Sequence, residues 1–120
     1  MPVKTDFITV STKGNREVTD LTPRLMEIVR RIGAADGIAV VFAPGSTAGV
    51  TTVECEPGLK KDIDLFLERI IPYGGRYHHH ETWHDDNGSS HLQAALIGPS
   101  VAVPVVKGKP ALGTWQQVVL

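Results

Sequence analysis

Two long stretches of this 120-residue chain are almost free of charge, and they limit what it can fold into. Between Ile32 and Val53 the only charged residue is Asp36, and after His91 the only ones are Lys107 and Lys109. Segments so poor in charge and rich in valine read as buried strands, or as strands covered by another subunit. A chain of this length forms one domain that hides roughly two-thirds of its unfolded surface, so one core is within reach without staples. We therefore read residues 1–120 as a single α+β domain with two to three helices.

The remaining composition narrows the setting. Cys55 is the only cysteine, so no disulfide forms within the chain and a reducing, cytoplasmic setting is expected. Residues Met1 to Thr12 interleave Lys4, Thr5, Asp6 and Ser11 and do not read as a secretory signal. Twelve Lys and Arg stand against thirteen Asp and Glu with no basic block, which argues against nucleic acid as a partner. No apolar run has membrane-spanning length, so a membrane is not expected either.

Along the chain, alternation over Lys4 to Ser11 predicts a half-buried strand, and Arg16 to Thr19 a second one after a turn at Lys13 to Asn15. Thr22 suits a helix N-cap and Pro23 the first helical position. Leu25, Ile28, Val29 and Ile32 form the stripe, and Gly33 the stop. Gly37 to Ala43 predicts a buried strand, with Thr47 to Glu54 as its partner. A second helix follows Pro57 and Gly58, with Leu59, Ile63, Phe66, Leu67 and Ile70 at helical spacing up to Pro72. Ser90 is placed to cap a short helix running to Gly98. Val101 to Val106 and Ala111 to Leu120 read as a hairpin around Lys107, Gly108 and Lys109.

The chemistry concentrates in Tyr77 to His91, YHHHETWHDDNGSSH, which holds all five histidines. Histidine is the commonest metal ligand and exchanges protons near neutrality. In extended backbone His79 would oppose His78 and His80, and the tract lacks HExxH or paired CxxC spacing. Two readings therefore stand side by side, a functional site and a solvated polar loop. As a site, His79, His84 and His91 with Asp85 form a nitrogen-rich set suited to zinc or a similar divalent ion. Without an ion the same groups can act as general acid and base. The loop Pro44 to Thr47 offers hydroxyls and N–H groups to an anion, or is an ordinary turn. Glu54 ends an uncharged strand, where a carboxylate needs a partner or water. Trp115 reads as core or interface, and Gln116, on the opposite face, can bond a ligand.

Four motifs occur in order: GSTAGVTTVECEPGL at 45–59, YHHHETWHDDNGSSH at 77–91, GPSVAVPVVKGK at 98–109 and LGTWQQ at 112–117. The set resembles the secondary thiamine-phosphate synthase (YjbQ-like) family. The resemblance implies a single-domain α+β fold with a curved, mainly antiparallel sheet, assembled as a homotrimer with sites near subunit interfaces. It also implies a weak transferase activity that joins a thiazole phosphate to a pyrimidine diphosphate and releases pyrophosphate. The alternative is a non-catalytic trimeric module for a metal ion, zinc or magnesium, or a small phosphorylated anion.

Carried over by position, the family's polar site falls on Thr47, Glu54, His79, Asp85, Asn87, His91 and Gln116. In the enzyme reading Ser46 and Thr47 hold phosphate. His79, His91, Glu54 and Asp85 carry the chemistry, and Asn87 and Gln116 bind the ligand. The chain departs from the family pattern at Gly45 and Ser89, where many relatives have histidine, and at Val53, where many have asparagine. Many relatives also continue through a charged segment beyond the position of Leu120.

Overall fold

The computed structural model describes residues 2–120 and contains four helices and two antiparallel sheets. Helix α1 spans Thr22–Ile32. It starts one residue earlier than the capping pattern predicts, because Leu21 takes the N-cap place and offers no side-chain cap. The Asp20 carboxylate accepts the Thr22 N–H instead (2.9 Å), and the Thr22 hydroxyl accepts the Val118 N–H (2.9 Å). Thr22 thus bolts the helix to the last strand. Gly33, at φ 69°, closes α1 in the left-handed conformation that costs glycine least.

The uncharged stretches do form strands, but with other partners than local order suggests. Strand β1, Gly37–Phe42, pairs not with the segment that follows it but with β3, Ser100–Val106, from Gly37 opposite Val105 to Phe42 opposite Ser100. Strand β2, Thr51–Val53, pairs instead with β5, Gln117–Val119. The predicted terminal hairpin therefore shrinks to β3 with β4, Lys109–Pro110, turning through Lys107 and Gly108, both at positive φ. Pairing between segments so far apart along the chain leaves no local signal in sequence.

Near the N-terminus the predicted strand Lys4 to Ser11 has no regular secondary structure, and Arg16 to Thr19 is not a strand. Pairing begins only at Thr19, whose N–H and C=O bond Leu120 (2.8 and 2.9 Å), next to a bridge between Asp20 and Val119. Arg16, in the left-handed region at φ 59°, sends its mostly buried guanidinium to Asp64 and Glu68. Chiefly through the Asp64 hydrogen bond, these contacts raise its pKa above the ordinary value and keep it charged. The clamp ties the Gly14 to Arg16 turn to helix α2, Pro57–Ile70.

Glu56 caps α2 by accepting the Gly58 and Leu59 N–H groups. Of the predicted stripe on α2 only Leu67 is buried, while Phe66 and Ile70 are exposed. Leu21, Leu25, Val29, Ala43, Val50, Val103, Val105 and Val118 form the core. Each of these leucines and valines stabilises the fold by roughly 1.5–3 kcal/mol on full burial. Outside it, Ile38, Val40 and Phe42 of β1 lie exposed on one sheet face, and Trp115 is exposed too. The chain exposes 8484 Å², whereas a folded 13 kDa monomer exposes about 6,300 Å². Among the described residues no helix is long and apolar enough to cross a membrane.

Candidate functional site: a buttressed histidine pair

The histidine-rich segment is helical, not extended. Helix α3, His78–Trp83, is six residues long and was not expected, since its run of histidines has no apolar stripe. Successive side chains on a helix fan out by about 100°. His78 therefore points into solvent, while His79 turns toward His91. His84, at φ 57°, ends α3 with its N–H on the His80 carbonyl (2.7 Å).

Helix α4, Gly88–Ile97, begins two residues before the predicted cap at Ser90, and Asn87 takes the N-cap place. His91 lies in its first turn, as expected from the sequence. Gly88 is buried there because Tyr77, which leads into α3, packs directly over it. A Cβ on Gly88 would lie 2.7 Å from Tyr77 Cβ and 3.0 Å from its Cγ. The Tyr77 hydroxyl donates to the Pro72 carbonyl, and Gln93, buried on α4, donates to the Ile71 carbonyl (2.9 Å). These contacts fix α3 against α4.

The rings of His79 and His91 consequently meet edge to face, with centroids 4.5 Å apart. His79 Nε2 lies 3.1 Å from Asp85 Oδ1 and 3.0 Å from Asn87 Oδ1. An ionised carboxylate only accepts, so this nitrogen carries the proton, and in the neutral ring Nδ1 keeps a free lone pair. His91 Nδ1 lies 3.0 Å from the Ser46 carbonyl oxygen. A carbonyl also only accepts, so Nδ1 is the donor and Nε2 is left open. Each ring therefore has one nitrogen pinned by an acceptor and the other available.

Other candidates fall elsewhere. His84 pairs with His80, ring centroids 5.8 Å apart, and His80 Nδ1 bonds the Asp85 carbonyl (3.2 Å) near Asp86 Oδ1 (3.4 Å). Gln116 donates to the Thr52 hydroxyl (3.1 Å) and accepts the Gly113 N–H (3.0 Å), bracing a turn. Glu54 and Thr47 are exposed; Thr47 follows Ser46, whose carbonyl meets His91, whereas among the described residues no hydrogen bond joins Glu54 to the histidine pair. The predicted ligand set of His79, His84, His91 and Asp85 thus splits: two imidazoles meet, Asp85 supports one of them, and His84 stands with His80. Among the described residues no three His, Cys, Asp or Glu side chains converge as a complete metal set.

Sequence reasoning missed Gly88 and Tyr77, which position the pair, and the His80–His84 contact. The last had a signal in its i, i+4 spacing, readable once α3 is known to be helical. Beside the pair lies a cleft lined by Tyr73, Arg76, Tyr77, His80, Asp85 and Asp86, among others.

The fold is that of a small α+β protein in which histidines from two neighbouring helices meet. The chain belongs to the family described as UPF0047 protein YjbQ-like, whose profile matches residues 6–120. A UPF0047 protein of Archaeoglobus fulgidus is 40% identical over 111 residues, covering 92% of this chain and 84% of that protein. Another, from Mycobacterium tuberculosis, is 41% identical over 119 residues, covering 97% and 84%. The crystal structure of an uncharacterized conserved protein of this family from Clostridium acetobutylicum has a TM-score of 0.80 at 36% identity, over 89% of this chain and 81% of that one. A YbjQ-like protein of unknown function from Sulfolobus solfataricus has a TM-score of 0.83 at 31% identity, over 91% and 78%. These names give a family and no activity.

Proposed function

We propose that this chain is a homo-oligomeric binding module, assembled from three copies, that holds a divalent transition ion such as zinc through His79 Nδ1 and His91 Nε2. The observation that carries the reading is the pinning of both rings. Metal-ligating histidines nearly always donate their other N–H to a carboxylate or a backbone carbonyl, which fixes ring and tautomer. Asp85 does this for His79 and the Ser46 carbonyl for His91. Two imidazoles on one tetrahedral ion have centroids roughly 5 Å apart, close to the 4.5 Å observed.

With two side chains of this chain as ligands, the remaining positions are open to solvent or to a small phosphorylated or other anionic ligand. The bound ion supplies the positive charge that such a ligand needs. The assembly is supported by exposed area: the chain's 8484 Å² exceeds the monomer expectation by roughly 2,100 Å². That excess is of the size an obligate interface buries.

The transferase reading is kept as second because the Pro44 to Thr47 loop does reach His91, through the Ser46 carbonyl. In it, the thiazole nitrogen attacks the pyrimidine methylene carbon and the bond from that carbon to the diphosphate oxygen breaks. Ser46, Thr47 and Asn87 would hold phosphate. The separation of Glu54 and Gln116 from the histidines counts against it.

The test is zinc titration by calorimetry on untagged, chelator-stripped protein. We expect one ion per chain, abolished in His79→Ala and in His91→Ala and retained in His84→Ala. Asp85→Ala should weaken binding 10- to 100-fold, the usual effect of removing such a supporting group. Binding that survives both His79→Ala and His91→Ala, or a wild-type chain that takes up no zinc, rejects the proposal.

A further inference from the structure

Residues 4–11 read as a strand in sequence, yet in the structure this segment has no strand partner. Among the described residues, no main-chain hydrogen bond joins it to the rest of the chain. It is held along α1 by side chains instead: Lys4 Nζ donates to the Ile32 carbonyl (3.2 Å), Arg31 pairs with Asp6, and Arg24 donates to the Thr9 carbonyl. Ile8 and Val10 pack against the core, while Val3 and Phe7 are 85% and 84% exposed. The alternation seen in sequence is therefore used on one side only, and most of the segment's peptide groups find acceptors and donors only in water.

The same chain carries a matching deficit. Strand β1 is the outer strand of its sheet, in the order β1-β3-β4, so one edge of its six residues is unpaired. That edge has no charge, proline or bulge to discourage pairing, and Ile38, Val40 and Phe42 are exposed beside it. Natural proteins seldom leave such an edge uncovered.

We infer that these two features are the halves of one contact between copies, in which residues 4–10 of one chain add as a strand to the β1 edge of the next. The inference rests on the self-association proposed above and gives it a geometry. Lengths match, because a seven-residue segment meets a six-residue strand and can form about six main-chain hydrogen bonds. Charge does not oppose the contact, since β1 is neutral and Lys4 and Asp6 already have partners. The contact joins two different surfaces, so it is head-to-tail and closes into a ring when the rotation per copy allows, as in a trimer. Edge pairing also brings the exposed apolar side chains of β1 under cover of the neighbour, in keeping with the excess exposed area.

Hydrogen–deuterium exchange, run on the native protein alongside sedimentation, tests this. In the oligomer, amides of residues 5–10 and the outward amides of 37–42 should exchange at least 100-fold more slowly than in an unstructured peptide. Dilution to monomer should remove that protection. Thr9→Pro, which deletes an N–H with no partner among the described residues, should weaken association at least 10-fold while the monomer still folds by circular dichroism. An oligomer whose residues 5–10 exchange freely overturns the strand addition and leaves self-association standing. A wild-type chain monomeric at every concentration overturns both. Equal protection in monomer and oligomer places the strand's partner within the chain and overturns the inference.

Discussion

Gly88→Ala is expected to disable the histidine pair without touching a histidine. The added methyl would lie 2.7 Å from Tyr77 Cβ, far inside van der Waals contact. Tyr77 cannot swing away freely, since its hydroxyl is bonded to the Pro72 carbonyl. The strain must pass into the start of α3, two residues from His79. Alanine favours a helix interior over glycine by up to about 1 kcal/mol, and less in the first turn. Overpacking of a close contact costs about 1–3 kcal/mol, so the clash wins. We expect a net loss of about 1–2 kcal/mol in chemical denaturation and at least a tenfold weaker zinc isotherm. Unchanged zinc affinity would show that the contact between Tyr77 and Gly88 does not position the site.

The second large effect is expected on the exposed face of β1. Ile38 and Phe42 lie on the same face of β1 and are 74% and 59% exposed, so aspartate at both positions leaves the core cluster intact. Within a single chain the cost is the modest strand preference lost, up to about 1 kcal/mol per site. In an assembly the two carboxylates would be buried without partners, at a cost of several kcal/mol each. Mass by light scattering at micromolar concentration should therefore fall from oligomer to monomer in Ile38→Asp/Phe42→Asp, with the circular dichroism spectrum retained. A variant that keeps the wild-type mass would show that this face is not the covered one.

The parts of the fold that were legible are those whose cause is local. α1 has its stripe, Pro23 and Gly33, β1 has its uncharged valine run, and the Lys107–Gly108 turn has its glycine. The strand partnerships were not legible, because Thr51–Val53 meets Gln117–Val119 across 60-odd residues and nothing in either segment names the other. α3 was missed for a related reason. His78, His79 and His80 have no apolar periodicity, and the helix is held by Tyr77 packing on Gly88, a contact that only tertiary structure supplies. Strand alternation in residues 4–11 was read correctly as a one-sided pattern, since Ile8 and Val10 do face the core, although the predicted strand did not form.

The candidate site divides in the same way. His79, Asp85, Asn87 and His91 lie within fifteen residues and do come together, so their clustering in sequence carries over into space. Ser46 also arrives, but through its carbonyl and not the hydroxyl that the sequence drew attention to. His84 is turned away by the left-handed end of α3. Glu54, Thr47 and Gln116 were singled out by their own residues as well as by positional resemblance; Thr47 follows Ser46, and among the described residues no hydrogen bond joins the side chains of Glu54 or Gln116 to the pair.

The ring nitrogens of the two imidazoles can be observed directly. Long-range ¹H–¹⁵N correlation spectra of the metal-free protein should find neutral His79 with its proton on Nε2 and neutral His91 with its proton on Nδ1. Zinc should then shift His79 Nδ1 and His91 Nε2 while the protonated nitrogens keep their protons. The opposite tautomers, or zinc that shifts neither open nitrogen, would contradict the account.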